Sequence, residues 1–350
     1  MRRLMGMKKK FGNMRFFSIL ILLIVLALSL VACNSQTSGS TEKESSSSTK
    51  ESASKFKERD KVIGYSVMDL KQPFWQSFQK GIEDAAKEAG YEVVVSDQKG
   101  SQETQVSGSM NLINKNISAL IVTPTQPSAL PATINAAHNV KIPVVIGDIG
   151  VEGDYDAYVL SDNEGGGALA AEYINELLGS TEGKKQVGII ELHPGNVVGA
   201  DRVRGFVEKL KEFNGFEVVS KLNGDDSVDG GFKATQSMLA ANPNIKVIFA
   251  ANDPEAEGAV QALKQAGRLE GDKRVEVIGF NGDANALELV KNGEMLATIA
   301  QHPIDMGKKS VEIALKLLNG EKIDFSTPDK KEFNVPTTLV DSKNIEEFLK

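Results

Sequence analysis

The sequence predicts an α/β protein of two doubly wound parallel-sheet lobes in series, and three observations carry that expectation. About 290 of the 350 residues follow a polar stretch near the N-terminus, more than one ordinary hydrophobic core holds. Within them short β-rich runs alternate with helical patterns, which implies parallel strands joined by helical crossovers. The same rhythm restarts at Gln186, so the unit is built twice.

Taken in order, the first lobe opens with a strand at Val62 to Met68 and a helix at Phe74 to Ala89. A strand at Tyr91 to Ser96 and a helix at Glu103 to Asn114 follow, then a strand at Ala119 to Val122, a helix at Ala129 to His138 and a strand at Pro143 to Gly147. The second lobe takes its strands from Gln186 to Leu192, Phe216 to Lys221, Lys246 to Ala250, Glu276 to Phe280 and Leu296 to Ala300, with helical segments between them. A last strand is expected around Phe333 to Val340. The chain is expected to cross between lobes three times, near Ser161-Asp162, near Gln301-His302 and near Asp329, which makes a three-strand hinge. The lobes are then residues 62–161 with 302–329, and 162–301 with 330–350.

Ahead of this body, Arg2, Arg3, Lys8, Lys9, Lys10 and Arg15 precede the almost wholly apolar run Phe16 to Ala32, the pattern of an export signal over residues 1–32. The run ends Leu30-Val31-Ala32-Cys33, which resembles the lipobox of bacterial lipoproteins, where the cysteine is lipidated and becomes the new N-terminus. The competing reading, a transmembrane anchor with an incidental cysteine, has about 17 mostly apolar residues to span with, which is marginal. Residues 33–61 are mostly Ser, Thr, Glu and Lys, a composition that cannot bury enough surface to order itself and reads as a flexible tether.

Without the six basic residues of the signal, 34 basic side chains remain of 40 against 47 acidic, net −13, which excludes a nucleic-acid-binding surface. Cys33 is the only cysteine, so the folded part has no disulfide, no thiol nucleophile and no cysteine metal site.

In open α/β sheets ligands bind beyond the carboxyl ends of the strands, which directs attention to the residues after each run. These are Leu70-Lys71-Gln72-Pro73-Phe74-Trp75, Thr123-Pro124-Thr125, Gly147-Asp148, Ser161-Asp162-Asn163, Leu192-His193-Pro194-Gly195-Asn196, Asn252-Asp253-Pro254, Gly279-Phe280-Asn281-Gly282 and Gln301-His302-Pro303. In order and spacing, from Val62 to about Val340, this series resembles the ribose-binding type of periplasmic substrate-binding protein, the extracytoplasmic receptor of ABC sugar importers. The resemblance implies the type I periplasmic binding protein fold, closure of the lobes on a ligand and importer permease subunits as partners; with the lipobox-like run at Cys33, the expectation is a lipid anchor as the only membrane contact and a monomer without cofactor or metal.

A sugar offers a C–H face and a rim of hydroxyls, so its receptor needs aromatic plates and planar bidentate polar groups. Gln72, Phe74 and Trp75 stand where ribose-binding relatives carry Asn-Pro-Phe-Phe, with Trp75 expected to face the ligand and Phe74 either to do so or to anchor the first helix. Asp148 matches the hydroxyl-binding aspartate of the family, while Asn252 and Gln301 match two further polar contacts. The remaining candidate positions, Thr123, Arg202, Asp225 and Asn281, include departures. Thr123 replaces an asparagine, Asn281 an aspartate, and Asp225 an aromatic plate. Ile149 and Ala200 stand where two arginines would, and Arg202 is either a ligand contact or part of a structural ion pair. Losing two guanidinium groups argues against an anionic ligand and for a neutral sugar or polyol.

His138, His193 and His302 are scattered without a metal or triad spacing. Gly165-Gly166-Gly167 lacks the Lys-Ser/Thr of a phosphate loop and reads as a helix start. A repressor of the LacI type would share the two-lobe body, but its DNA-binding headpiece has no room beside a signal and a tether. The expected role is therefore an anchored, non-enzymatic solute-binding protein on the outer face of the cell membrane. A sensory receptor for a sugar or an autoinducer-2-like signal is the alternative.

Overall fold

The structure, a computed structural model, describes residues 59–179 and 183–349. The signal, Cys33 and nearly all of the tether lie outside the described residues. Two six-stranded sheets organise the chain. In the first the spatial order is β11-β5-β4-β3-β1-β2, formed by β1 (Val62–Val67), β2 (Glu92–Asp97), β3 (Ala119–Val122), β4 (Val144–Gly147), β5 (Ala157–Ser161) and β11 (Glu332–Val335). The second runs β12-β10-β9-β8-β6-β7, from β6 (Lys185–Glu191), β7 (Phe216–Asn223), β8 (Ile245–Ala250), β9 (Glu276–Asn281), β10 (Ala297–Ala300) and β12 (Thr338–Val340). All pairings are parallel except β10 with β12. β3, β4, β5 and β10 are buried along their whole length, as strands covered on both faces must be.

Helices cover the sheets: α1 (Pro73–Glu88), α2 (Gln102–Ile113) and α3 (Pro131–Asn139) belong to the first lobe, and α4 (Asn163–Leu178), α5 (Val197–Leu210), α6 (Val228–Ala241), α7 (Asp253–Gln265) and α8 (Ala284–Lys291) to the second. The last, α9 (Pro303–Asn319), returns to the first lobe, where Met306, Val311 and Ile313 join the core around Phe78 and Ile82. Glycines set how closely helices approach. A Cβ on Gly167 would run into the carbonyl of Arg202, and one on Gly205 into that of Glu164, so α4 and α5 cross backbone to backbone. The Gly165–Gly167 run is thus a helix start, capped by Asp162 Oδ1 accepting from the Gly165 N–H at 2.9 Å.

Two of the expected crossings occur where the sequence places them, between Ser161 and Asn163 and between Ala300 and Pro303. The third does not. The single strand expected over Phe333 to Val340 is broken at Pro336, which has no N–H to give a ladder. Its first half pairs in parallel with β5 and its second half antiparallel with β10. The third crossing therefore lies at Pro336-Thr337 instead of near Asp329, and Glu332–Val335 extends the first lobe.

Candidate functional site

Three of the candidate polar groups, Arg202, Asn281 and Gln301, meet where the strands end and the chain crosses between lobes. On the first lobe, Asp148 follows β4 in a left-handed conformation, φ 61°. It is held there by its N–H donating to the Val159 carbonyl at 2.8 Å and by Tyr158 Oη donating to its own carbonyl at 2.7 Å. Gly147 before it admits the Phe78 ring and the Thr123 methyl, which a side chain would displace. These contacts use only the backbone of Asp148. Its carboxylate Oδ1 is buried without a hydrogen-bond partner, and burial pushes the carboxyl up to about 6 against the opposing charge of Arg202. Such an orphan is costly unless a further donor meets it.

On the second lobe, Arg202 is 4% exposed and lies with Cζ 4.0 Å from the centre of the Phe280 ring. The glycine-lined crossing of α4 and α5 brings it beside Asn163, whose Oδ1 accepts from Arg202 Nε at 2.9 Å. Arg202 Nη1 donates to the Ala251 carbonyl at 2.9 Å and to Asn281 Oδ1 at 3.1 Å. Gln301 Nε2 donates to the same Asn281 oxygen at 2.9 Å, and Ser161 Oγ donates to Gln301 Oε1 at 2.8 Å. Asn163 Nδ2 donates to the Ser161 carbonyl at 3.0 Å, which closes a ring of hydrogen bonds through Ser161, Asn163, Arg202, Asn281 and Gln301. The ring ties two of the three crossings to the cleft wall. Burial lowers the Arg202 guanidinium to about 10, with Asp148 and Asp253 acting against that fall, so it stays charged near neutral pH.

Asn252 caps α7, its Oδ1 accepting from the Glu255 N–H at 2.9 Å, which leaves the amide nitrogen Nδ2. Asp225 lies exposed at φ 53° after β7, its N–H on Asn223 Oδ1 at 2.5 Å. Beneath that loop, Glu255 is fully buried and accepts from the Asp226 N–H at 3.2 Å, while its Oε2 has no partner. Burial pushes this carboxyl up to about 8.

The other first-lobe candidates divide. Gln72 is exposed at the start of α1. Trp75, expected to face the ligand, is 4% exposed and sits in the core of its lobe, 6.3 Å from Phe78, with an unpartnered Nε1. Phe74 is the more open ring and meets Trp75 edge-on at 4.8 Å. Thr123 is fully buried, and its hydroxyl already accepts from the Met68 N–H at 3.1 Å and lies 3.3 Å from Tyr65 Oη. It braces the end of β1 instead of presenting a free hydroxyl.

Sequence reasoning gave no role to Asn163, Asp253 or Thr298. The first two stand in strand-end motifs that it quoted, but their partners come from other loops. His193 pairs with Asp226, Nδ1 to Oδ2 at 2.5 Å, and His302 Nε2 lies 2.8 Å from Thr338 Oγ1. Among the described residues no cluster of His, Cys, Asp or Glu has the arrangement to hold a metal ion, and no helix is long and apolar enough to cross a membrane.

Two lobes of opposed parallel sheets with polar strand ends converging at their crossings define a bilobal binding protein, and comparison with known proteins agrees. The profile of the periplasmic binding protein domain matches residues 63–322. The ribose import binding protein RbsB of Bacillus subtilis (strain 168) is 35% identical over 278 residues, 79% of this chain and 88% of that protein. Among solved structures, an ABC transporter periplasmic solute-binding protein from Actinobacillus succinogenes 130z with bound D-allose superposes with a TM-score of 0.70 at 30% identity, covering 82% of this chain and 99% of that one. A solute-binding protein of Bacillus halodurans C-125 with bound myo-inositol does so with a TM-score of 0.70 at 26% identity, over 84% and 99%. The chain belongs to the periplasmic binding protein family and is ribose-binding-like within it.

Proposed function

We propose that this protein is an extracytoplasmic, lipid-anchored receptor that captures a neutral sugar or polyol between its lobes and delivers it, by closing on it, to an ABC importer. The observation that carries the reading is the buried, unpartnered Oδ1 of the Asp148 carboxylate, set against a second lobe whose Arg202, Asn281 and Gln301 are already oriented by one another. An acceptor on one side and fixed amide and guanidinium groups on the other suit a ring of hydroxyls. The ligands named for its relatives, ribose, D-allose and myo-inositol, are all neutral polyhydroxy compounds of that kind. Anchoring at Cys33 and delivery to permease subunits complete the proposal, which assigns no catalysis.

The test is the melting temperature of residues 60–350 against pentoses, hexoses, inositols, sugar alcohols and autoinducer-2. A ligand at about 100 times its Kd stabilises by about 2.7 kcal/mol, readily visible in a melt. A shift with one neutral sugar or polyol supports the reading. Silence across the sugars and polyols in protein shown to be free of carried-over ligand overturns it.

A further inference from the structure

Asp253 is the first residue of α7 and 2% exposed. Its carboxylate accepts from three donors, two of them in the loop after β9 and one on β10. Oδ2 accepts from the backbone N–H of Gly282 and of Asp283, each at 2.8 Å, and Oδ1 accepts from Thr298 Oγ1 at 2.7 Å. The carboxylate also fills the space over Gly279, where any side chain would strike Oδ1. It is thus wedged between α7, β9 and β10, and what it grips is the chain directly after Asn281.

Asn281 needs that grip. Its φ is 145°, a region that side-chain-bearing residues rarely occupy and keep only when their surroundings impose it. Its amide is committed at both ends: Oδ1 to Arg202 and Gln301, and Nδ2 donating to Asp283 Oδ2 at 3.1 Å. Asp283 is in turn held by its own N–H on Asp253. One buried carboxylate therefore fixes both the backbone of Asn281 and the partner that orients its amide.

We propose that Asp253 is the positioning residue of the second-lobe wall, holding Asn281, and through it Arg202 and Gln301, in the arrangement that receives the ligand. This rests on the sugar-binding reading above. Removing the carboxylate takes the acceptor from the Asp283 N–H and the buried Thr298 hydroxyl and leaves the Gly282 N–H only its longer contact with Thr298 Oγ1 at 3.3 Å, so the loop relaxes, the Asn281 amide turns, and the guanidinium loses one of its three anchors.

The experiment compares Asp253→Asn and Thr298→Val with Val277→Ala, a buried β9 residue of the same lobe whose hydrophobic cluster contains none of these groups. Affinity for D-ribose, D-allose, D-xylose, L-arabinose and myo-inositol is measured by calorimetry, beside the melting temperature of the ligand-free protein. Asp253→Asn is expected to weaken the best of these ligands tenfold or more, and Thr298→Val a few-fold. Val277→Ala lowers the melting temperature at wild-type affinity. Unchanged affinity in the two loop variants, or an affinity loss in Val277→Ala that matches theirs at equal melting temperature, overturns the inference. Should Asp253→Asn fail to fold, Thr298→Val against Val277→Ala decides it. Wild-type protein that binds none of the sugars and polyols of the melting panel overturns the sugar reading, and the inference with it.

Discussion

Ser161 Oγ donates to Gln301 Oε1 at 2.8 Å, joining the end of a first-lobe strand to the residue that follows a second-lobe strand. The two residues stand at two of the three places where the chain passes between lobes, so the bond lies at the hinge. Because Gln301 also donates to Asn281, and Asn281 accepts from Arg202, the position of the hinge and the orientation of the cleft wall are parts of one hydrogen-bonded ring. In the function proposed above, closure of the lobes would act on groups already joined to the crossings.

Asp148→Ala is expected to weaken ligand binding by about 1 to 3 kcal/mol, since it removes an acceptor whose backbone setting survives the change. Asn252→Ala weakens binding over the same range and also lowers the melting temperature, because the side chain caps α7. Calorimetric titration of both variants with the ligand found by melting checks this, and wild-type affinity in both would remove these residues from the site.

The contribution of Glu255 to stability should fall between about pH 4.5 and pH 8. Its carboxyl is raised on folding from 4.5 to about 8 by burial. The protonated form is favoured in the fold, so its stabilising contribution is complete below about pH 4.5 and is lost as pH rises through 8. Glu255→Gln keeps an oxygen for the Asp226 N–H and cannot ionise. Its melting temperature should be flatter across that interval than that of the wild type, and parallel curves would contradict the assignment.

Gly167→Ala should destabilise the second lobe by about 1 to 3 kcal/mol, because the added methyl meets the carbonyl of Arg202. Denaturant unfolding gives the magnitude. An unchanged midpoint would mean that the two helices part without cost.

Cys33→Ala is expected to abolish lipid labelling and to release the protein or leave its precursor uncleaved. Metabolic labelling with a fatty-acid analogue reads this directly, and labelling that persists in the variant rules out Cys33 as the anchor.

Much of this architecture is legible in local sequence. Strand starts and ends read from Val62, Ala119, Phe216 and Glu276 agree with the structure to within a few residues, because runs of β-branched and apolar residues between turn signals mark strands buried by their own helices. Asp148, Asn281 and Gln301 are candidates in the sequence because the residues directly after such strands face the cleft of an open sheet. Other features were out of reach. Pro336 is visible in the chain, but that it divides a strand between two sheets depends on β5 and β10 offering edges on either side. That Met68 and Tyr65 take up the Thr123 hydroxyl depends on β3 packing beside β1.

By itself the sequence determined two lobes, their strands and helices, and a line of polar residues at the strand ends. Those follow from hydrophobic periodicity and turn chemistry, which act over a few residues. Only the tertiary structure decided how those polar residues share their hydrogen bonds. Arg202 meets Asn163, 39 positions away, and Asn281, 79 away; Asp253 holds a loop about 30 residues further on. A buried donor takes the acceptor that packing brings within about 3 Å, and which acceptor that is depends on how helices and strands from distant parts of the chain come together.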